Sequence, residues 1–187
     1  MGYIEVGPES FRLLKGKVIV ITGMSYVRIH SVIVWKSQPS LKHAAAGVGG
    51  SSGIGLATVK LLVANGATVI NGDLKPPQGL TEKEAASVAF QKTDVSDWDS
   101  LRSLFDKAVM HAGCIDHVFA NAGAPPRTTF IDLEVDDNGH PLEPTHRVLD
   151  INLKGLINTV ALAIHHMKHQ KQSEGGSILI TSSAAGT

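Results

Sequence analysis

Cysteine is almost absent. Cys114 stands alone among 187 residues, which excludes an intramolecular disulfide and suits a reducing compartment. Excess charge is absent too: 17 basic residues balance 17 acidic ones, so neither nucleic acid nor an anionic membrane surface is indicated as a partner. No uninterrupted apolar run approaches the roughly 20 residues needed to span a bilayer. The first residues, Met1 to Val6, have neither the basic end nor the apolar centre of a signal peptide, and Val6 stands where a myristoylation motif takes Ser or Thr. A cytoplasmic location without a membrane partner is therefore expected. The length suits one domain with a sizeable core. A last absence is local: residues 24–49 contain no acid, only the bases Arg28, Lys36 and Lys42.

What is present alternates between strand and helix patterns. Val18 to Ile21 is a short β-branched run, as in a strand buried on both faces. Leu56, Val59, Leu62 and Val63 recur at helical spacing, with Gly66 as a stop. Further strands are predicted at Ala67–Asn71, Ser87–Gln91, Ile115–Ala120 and Ser177–Thr181. Between them lie a helix with Ser96 as its predicted cap and a long helix striped by Leu149, Leu153, Leu156, Val160, Ala163 and Met167. Pro125 to Pro144 reads as a polar loop. Repeated alternation implies right-handed crossovers and an α/β, doubly wound parallel sheet of Rossmann type.

A glycine-rich turn, Gly50-Ser51-Ser52-Gly53-Ile54-Gly55, opens the first helix. Glycines there let the backbone approach a pyrophosphate, and the helix N-terminus supplies amide donors. Asp73 follows at the end of the next strand, about 20 residues on, where a carboxylate accepts from adenosine ribose hydroxyls and repels a 2′-phosphate. NAD is favoured, with NADP possible because Lys75 lies close by. The turn should follow directly on Val18–Ile21, yet residues 24–49 intervene. Removing them would leave 14 basic residues (17 − 3) against 17 acidic ones. It would also rejoin strand, turn and helix.

With these residues in place, the chain resembles the compact short-chain dehydrogenase/reductase family. Thr22-Gly23 joined to Gly50 through Gly55 matches the family's cofactor loop, and Asp94-Val95 its adenine-side aspartate. Asn121-Ala122-Gly123 matches its Asn-Ala-Gly turn, with Ala120 as a departure from the usual Asn. Asn152 in Ile151-Asn152-Leu153-Lys154-Gly155 matches its mid-helix asparagine, and Ser183 in Ser182-Ser183-Ala184-Ala185-Gly186 its catalytic serine. The resemblance implies hydride transfer between a nicotinamide and the carbonyl or secondary alcohol of a small molecule. Ser183 would position the substrate oxygen and Asn152 would hold a water. It also implies a homo-oligomer in the full-length form, with the long helix at the subunit interface.

The family's Tyr-x-x-x-Lys pair is missing from the 187 residues, since neither Tyr3 nor Tyr26 has a lysine four places on. The expectation is a single, incomplete dinucleotide-binding domain over residues 1–187, with a foreign insert at 24–49. It should show no turnover and bind NADH no more tightly than millimolar. Codons for Gly23-Met24-Ser25 and Val48-Gly49 can contain a GT donor and an AG acceptor, so the insert reads as a retained intron, with a genuine surface insertion as the alternative. Within it, Ser31 to Trp35 is strand-like and could compete for the central sheet position, and Gly49 could replace Gly23 at the head of the turn. The alternative is a non-catalytic cofactor-binding or regulatory remnant, or a mis-spliced gene product. No metal site is read: His165 and His169 have the spacing of a zinc pair but lack the glutamate of a metalloprotease helix.

Overall fold

The computed structural model describes residues 18–21, 44–125, 133–170 and 176–182. The elements are β1 (Val18–Ile21), β2 (Ala44–Val48), α1 (Gly53–Ala64), β3 (Thr68–Asp73), α2 (Glu82–Ala85), β4 (Val88–Lys92), α3 (Trp98–Ala112) and β5 (His117–Ala120), followed by α4 (Arg147–Leu149), a π-helical segment (Asp150–Gly155), α5 (Leu156–His169) and β6 (Ser177–Ile180). Every strand pairing is parallel. β4 pairs β3, β6 pairs β5, and the position between β3 and β5 is taken by β1 and by β2.

β1 and β2 share their pairing partners. Ile70 of β3 is the partner of Val20 and also of Ala46, and Val118 of β5 is likewise the partner of both. The offset is constant at 26 residues (46 − 20). Neighbouring strands stand about 4.8 Å apart, so one position holds one strand at a time. The sequence places a competing strand at Ser31–Trp35, which lies outside the described residues. The competitor that the structure describes is Ala44–Val48, whose Ala-Ala-Ala-Gly-Val sequence carries little strand signal.

Two apolar clusters flank the sheet. Leu101, Leu104, Phe105 and Ala108 of α3 pack with Ile70, Val118, Leu162 and Ala163 on one face. Val59 and Leu62 of α1 meet Val69 and Phe119 on the other. Helices on both faces of a parallel sheet are the doubly wound arrangement that the alternation predicts.

Several local expectations change. The α3 cap is Asp97, whose carboxylate accepts from Ser100 N at 2.6 Å; Ser96 instead bonds to Asp94. The Pro76-Pro77 loop leads into a short helix, α2, capped by a reciprocal Thr81–Glu84 box that the sequence reading missed. In the polar loop, Val135 and Pro141 form an antiparallel bridge around a turn at Asp136. The long helix, Arg147–His169, runs 23 residues and is long and apolar enough to cross a bilayer by length and composition, unlike any apolar run expected from sequence. It packs on the sheet instead, burying Thr159, Leu162 and Ala163. Its covered side runs through Ile151, Gly155, Thr159 and Leu162, so Leu149 and Leu153 of the predicted stripe face outward.

Candidate cofactor-binding site

The site lies where the strands deliver their carboxyl ends. Gly49 N donates to Gly72 O, continuing the β2–β3 ladder by one residue. Gly50 N then donates to Asn71 Oδ1 at 2.9 Å, and Ser51 N donates to Asp73 Oδ2 at 3.0 Å. Asn71 Nδ2 donates in turn to Ser51 Oγ at 2.9 Å. Three successive loop amides are thus pinned to the end of β3. Asn71 is fully buried. Sequence reading passed over it, although an amide inside the apolar run Thr68-Val69-Ile70 is itself a signal.

The glycines are required by close approach. A Cβ on Gly50 would come within 2.7 Å of Asn71 Oδ1 and Val59 Cγ2. One on Gly55 would be driven into the Gly49 carbonyl. Gly49 and Gly53 adopt positive φ, 84° and 49°. Ser52 supplies no side-chain cap and the first turn of α1 carries no acid, an arrangement that favours an external anion at the helix N-terminus. Ile54 is half-buried, and its carbonyl accepts from Thr58 Oγ1.

Beyond the turn, a cleft is lined by Asp73, Leu74, Asp94, Val95, Gly123 and Arg147, among others. Asp94 Oδ1 accepts from Ser96 N at 2.9 Å and from Ser96 Oγ at 2.6 Å. Burial pushes the Asp94 carboxyl up, but the two Ser96 bonds and nearby Arg147 outweigh it and hold the group below its ordinary value. Val95 is buried against Gly155, where an added Cβ would meet Val95 Cγ2 at 2.8 Å. Glycine there lets the long helix approach the end of β4.

Asn152 brackets one peptide unit. Its Oδ1 accepts from Ala124 N at 2.6 Å and its Nδ2 donates to Ala124 O at 2.9 Å, fixing the chain just past Gly123. Thr181 Oγ1 donates to Asn121 Oδ1 at 2.6 Å, tying β6 to the end of β5. Asn121 Nδ2 is buried without a hydrogen-bond partner among the described residues. The structure therefore gathers Gly49 to Gly55, Asp73, Asp94, Val95, Asn121 to Gly123 and Asn152 at one edge of the sheet. Gly23 and Ser183 lie outside the described residues. Arg147, Leu74 and Ile151 also line the cleft and were missed; Arg147 stands about a turn before Asn152, the one clue in sequence.

A family model described as short chain dehydrogenase matches residues 43–187. The chain belongs to the short-chain dehydrogenase/reductase family. It is 48% identical over 139 residues to the short-chain dehydrogenase/reductase ascJ of Acremonium egyptiacum, covering 74% of this chain and 46% of the relative. It is 34% identical over 189 residues to ATR7 of Stachybotrys chlorohalonatus, covering 100% of this chain and 49% of the relative. Among solved structures, the NADH-dependent reductase A1-R' complexed with NAD is similar with a TM-score of 0.59 and 25% identity, over 84% of this chain and 55% of that one. A short-chain dehydrogenase/reductase of Serratia marcescens, in mutant form, gives 0.54 and 26%, over 83% and 53%. The chain spans about half the length of the curated relatives it matches.

The site suits the nicotinamide dinucleotide of this oxidoreductase family. A helix N-terminus without a side-chain cap, an acid at the end of β3 and an orphaned buried amide at Asn121 stand together at the strand ends, where a phosphate-linked dinucleotide is held.

Proposed function

We propose that the protein is an NAD(P)-dependent oxidoreductase that moves a hydride between a nicotinamide and the carbonyl or secondary alcohol of a small molecule, and that these residues form its cofactor-binding part. The nicotinamide, when bound, supplies or accepts the hydride. The observation that carries the reading is the Ser51 N to Asp73 Oδ2 bond, which holds a carboxylate at the base of the glycine turn, where ribose hydroxyls would be met. The same charge disfavours a 2′-phosphate, so NAD is the preferred cofactor. Ser183 would position the substrate oxygen, and Asn152 would steady the Gly123–Ala124 turn and hold a water.

Catalysis by the family mechanism needs a tyrosine and a lysine four residues apart, because a phenol of pKa about 10 works near neutrality only beside a cation. The 187 residues contain no such pair, so this span alone binds without turnover. The second reading is a cofactor-binding or regulatory remnant. Sequencing the native transcript separates the two: a downstream Tyr-x-x-x-Lys supports the enzyme, and a stop codon after Thr187 supports the remnant.

Residues 24–49 are read as a foreign insert, a retained intron. The constant offset of 26 residues between β1 and β2 supports it, since deleting 24–49 joins Gly23 to Gly50 in the register that Gly49 holds now. Genomic codons lacking GT near Gly23–Ser25 or AG near Val48–Gly49 would contradict this. Leu149, Leu153, Ile157 and Ile164, exposed along the long helix, support a homo-oligomer. A cytoplasmic location and no nucleic-acid partner agree with the balanced charge and lone cysteine. Competitive titration with NADH and NADPH tests the cofactor reading: NADH should bind more tightly, and equal or reversed affinities would overturn the preference.

A further inference from the structure

The long helix ends far from the cofactor turn. Near its start Asn152 brackets Ala124, at the carboxyl ends of the strands. Past its last turn Gln170 brackets Ile115, just ahead of β5 and at the opposite edge of the sheet. Ile115 N donates to Gln170 Oε1 at 2.8 Å, and Gln170 Nε2 donates to Ile115 O at 2.9 Å. Three histidines stand beside this clamp in different surroundings. His166 is half-buried and turns to stack on Phe105. His165 and His169 are exposed, and their ring centroids lie 4.7 Å apart.

His169 Nδ1 lies 2.7 Å from the His165 carbonyl oxygen, which can only accept. The ring proton therefore sits on Nδ1, and Nε2 keeps its lone pair. A ring N–H given to a backbone carbonyl is the arrangement that orients metal-ligating histidines. The ring separation agrees with it. An ion about 2.1 Å from each nitrogen lies about 3.2 Å from each ring centroid, so cis ligands about 90–110° apart bring the centroids to about 4.5–5.2 Å. The end of α5 also presents the partial negative charge of its last carbonyls, which favours a cation. Among the described residues no group of three or more His, Cys, Asp or Glu gathers to hold a metal, so water would complete the shell. The missing metalloprotease glutamate bears on hydrolysis and not on binding.

We propose that His165 and His169 form a chelating site for a divalent first-row transition-metal ion, with copper(II) bound more tightly than zinc(II). Imidazole suits both ions, and affinity for such ligands peaks at copper. The ion ties together residues one helical turn apart and so holds the end of α5, which carries the Gln170 clamp on Ile115. The unfolded chain does not keep the two rings in register, so the ion favours the folded state. This site owes nothing to the cofactor reading.

Calorimetric titration of the 187-residue protein with copper(II), zinc(II) and magnesium chlorides, in a non-coordinating buffer that keeps imidazole neutral, tests the site. Copper(II) should bind more tightly than zinc(II), and magnesium should not bind. His165→Ala and His169→Ala should each weaken zinc binding about tenfold or more, because a single imidazole loses the chelate. His111→Ala, at an exposed histidine in the last turn of α3, should leave it unchanged. Zinc should raise the urea midpoint of the wild type and of His111→Ala, and not that of either pair variant. Four results would overturn the site: no zinc or copper binding by the folded chain, magnesium bound as tightly as zinc, zinc affinity retained in both pair variants, or a wild-type urea midpoint that zinc does not raise.

Discussion

Asn71 and Gly50 are joined by a hydrogen bond of 2.9 Å from the Gly50 amide to the Asn71 side chain, and both residues are buried. The bond fixes the glycine turn to the strand that also presents Asp73. Asn71→Ala leaves Gly50 N buried without its acceptor, which costs about 1–3 kcal/mol. The urea midpoint should fall accordingly, and NADH binding should weaken by more than the stability loss alone explains. An unchanged midpoint would mean that water takes over the Asn71 position.

Gly55→Ala tests the close approach of α1 to the turn. Its Cβ would be driven into the Gly49 carbonyl, so turn and helix must separate. Helix propensity favours alanine by about 1 kcal/mol, so the variant should remain folded by circular dichroism while losing NADH binding. Wild-type affinity would show that the turn is not part of the site.

Asn152→Asp keeps the acceptor toward Ala124 N but removes the donor toward Ala124 O. These bonds are exposed, so a loss of about 0.5–1.5 kcal/mol is expected. Asn152→Ala should cost more than Asn152→Asp. Chemical denaturation of both variants checks the order; equal costs would assign the bracketing to the donor alone.

His166 stacks on Phe105 with ring centroids 5.5 Å apart. Burial first, then His165 and His169, lower its proton affinity below the ordinary value of 6.5, against the opposing pull of Asp106. The unfolded chain therefore takes up a proton on this ring before the folded chain does. This contribution is fully present above pH 6.5, shrinks as pH falls through 6.5, and stops changing once the folded imidazole is protonated. Urea midpoints between about pH 7.5 and 5.5 should decline, and His166→Phe should flatten that decline while keeping the stack. A parallel decline in the variant would assign the effect elsewhere.

Legibility in the sequence followed the physics of each feature. Strands β3 to β6 and helices α1 and α3 could be read because their apolar periodicity and glycine stops are local signals. Asp73, Asp94, Val95, Asn121 and Asn152 could be placed because they stand in ordered motifs. Asn71 was hidden because its role depends on what the strand end faces, which spacing does not reveal. The outward turn of Leu149 and Leu153 was hidden because the covered side runs through Ile151, Gly155, Thr159 and Leu162, and a count of apolar residues passes over its glycine and threonine. β2 was invisible because its alanines carry no strand signal; pairing with β3 and β5 defines it.

The most direct test of the central claim, that this chain assembles a nicotinamide-dinucleotide site on the ends of β2 and β3, is calorimetric titration of the folded 187-residue protein with NADH, alongside Asp73→Ala. The account predicts one site per chain in the wild type and a marked loss of affinity in the variant. No binding heat at millimolar NADH, from a chain shown to be folded, would contradict it.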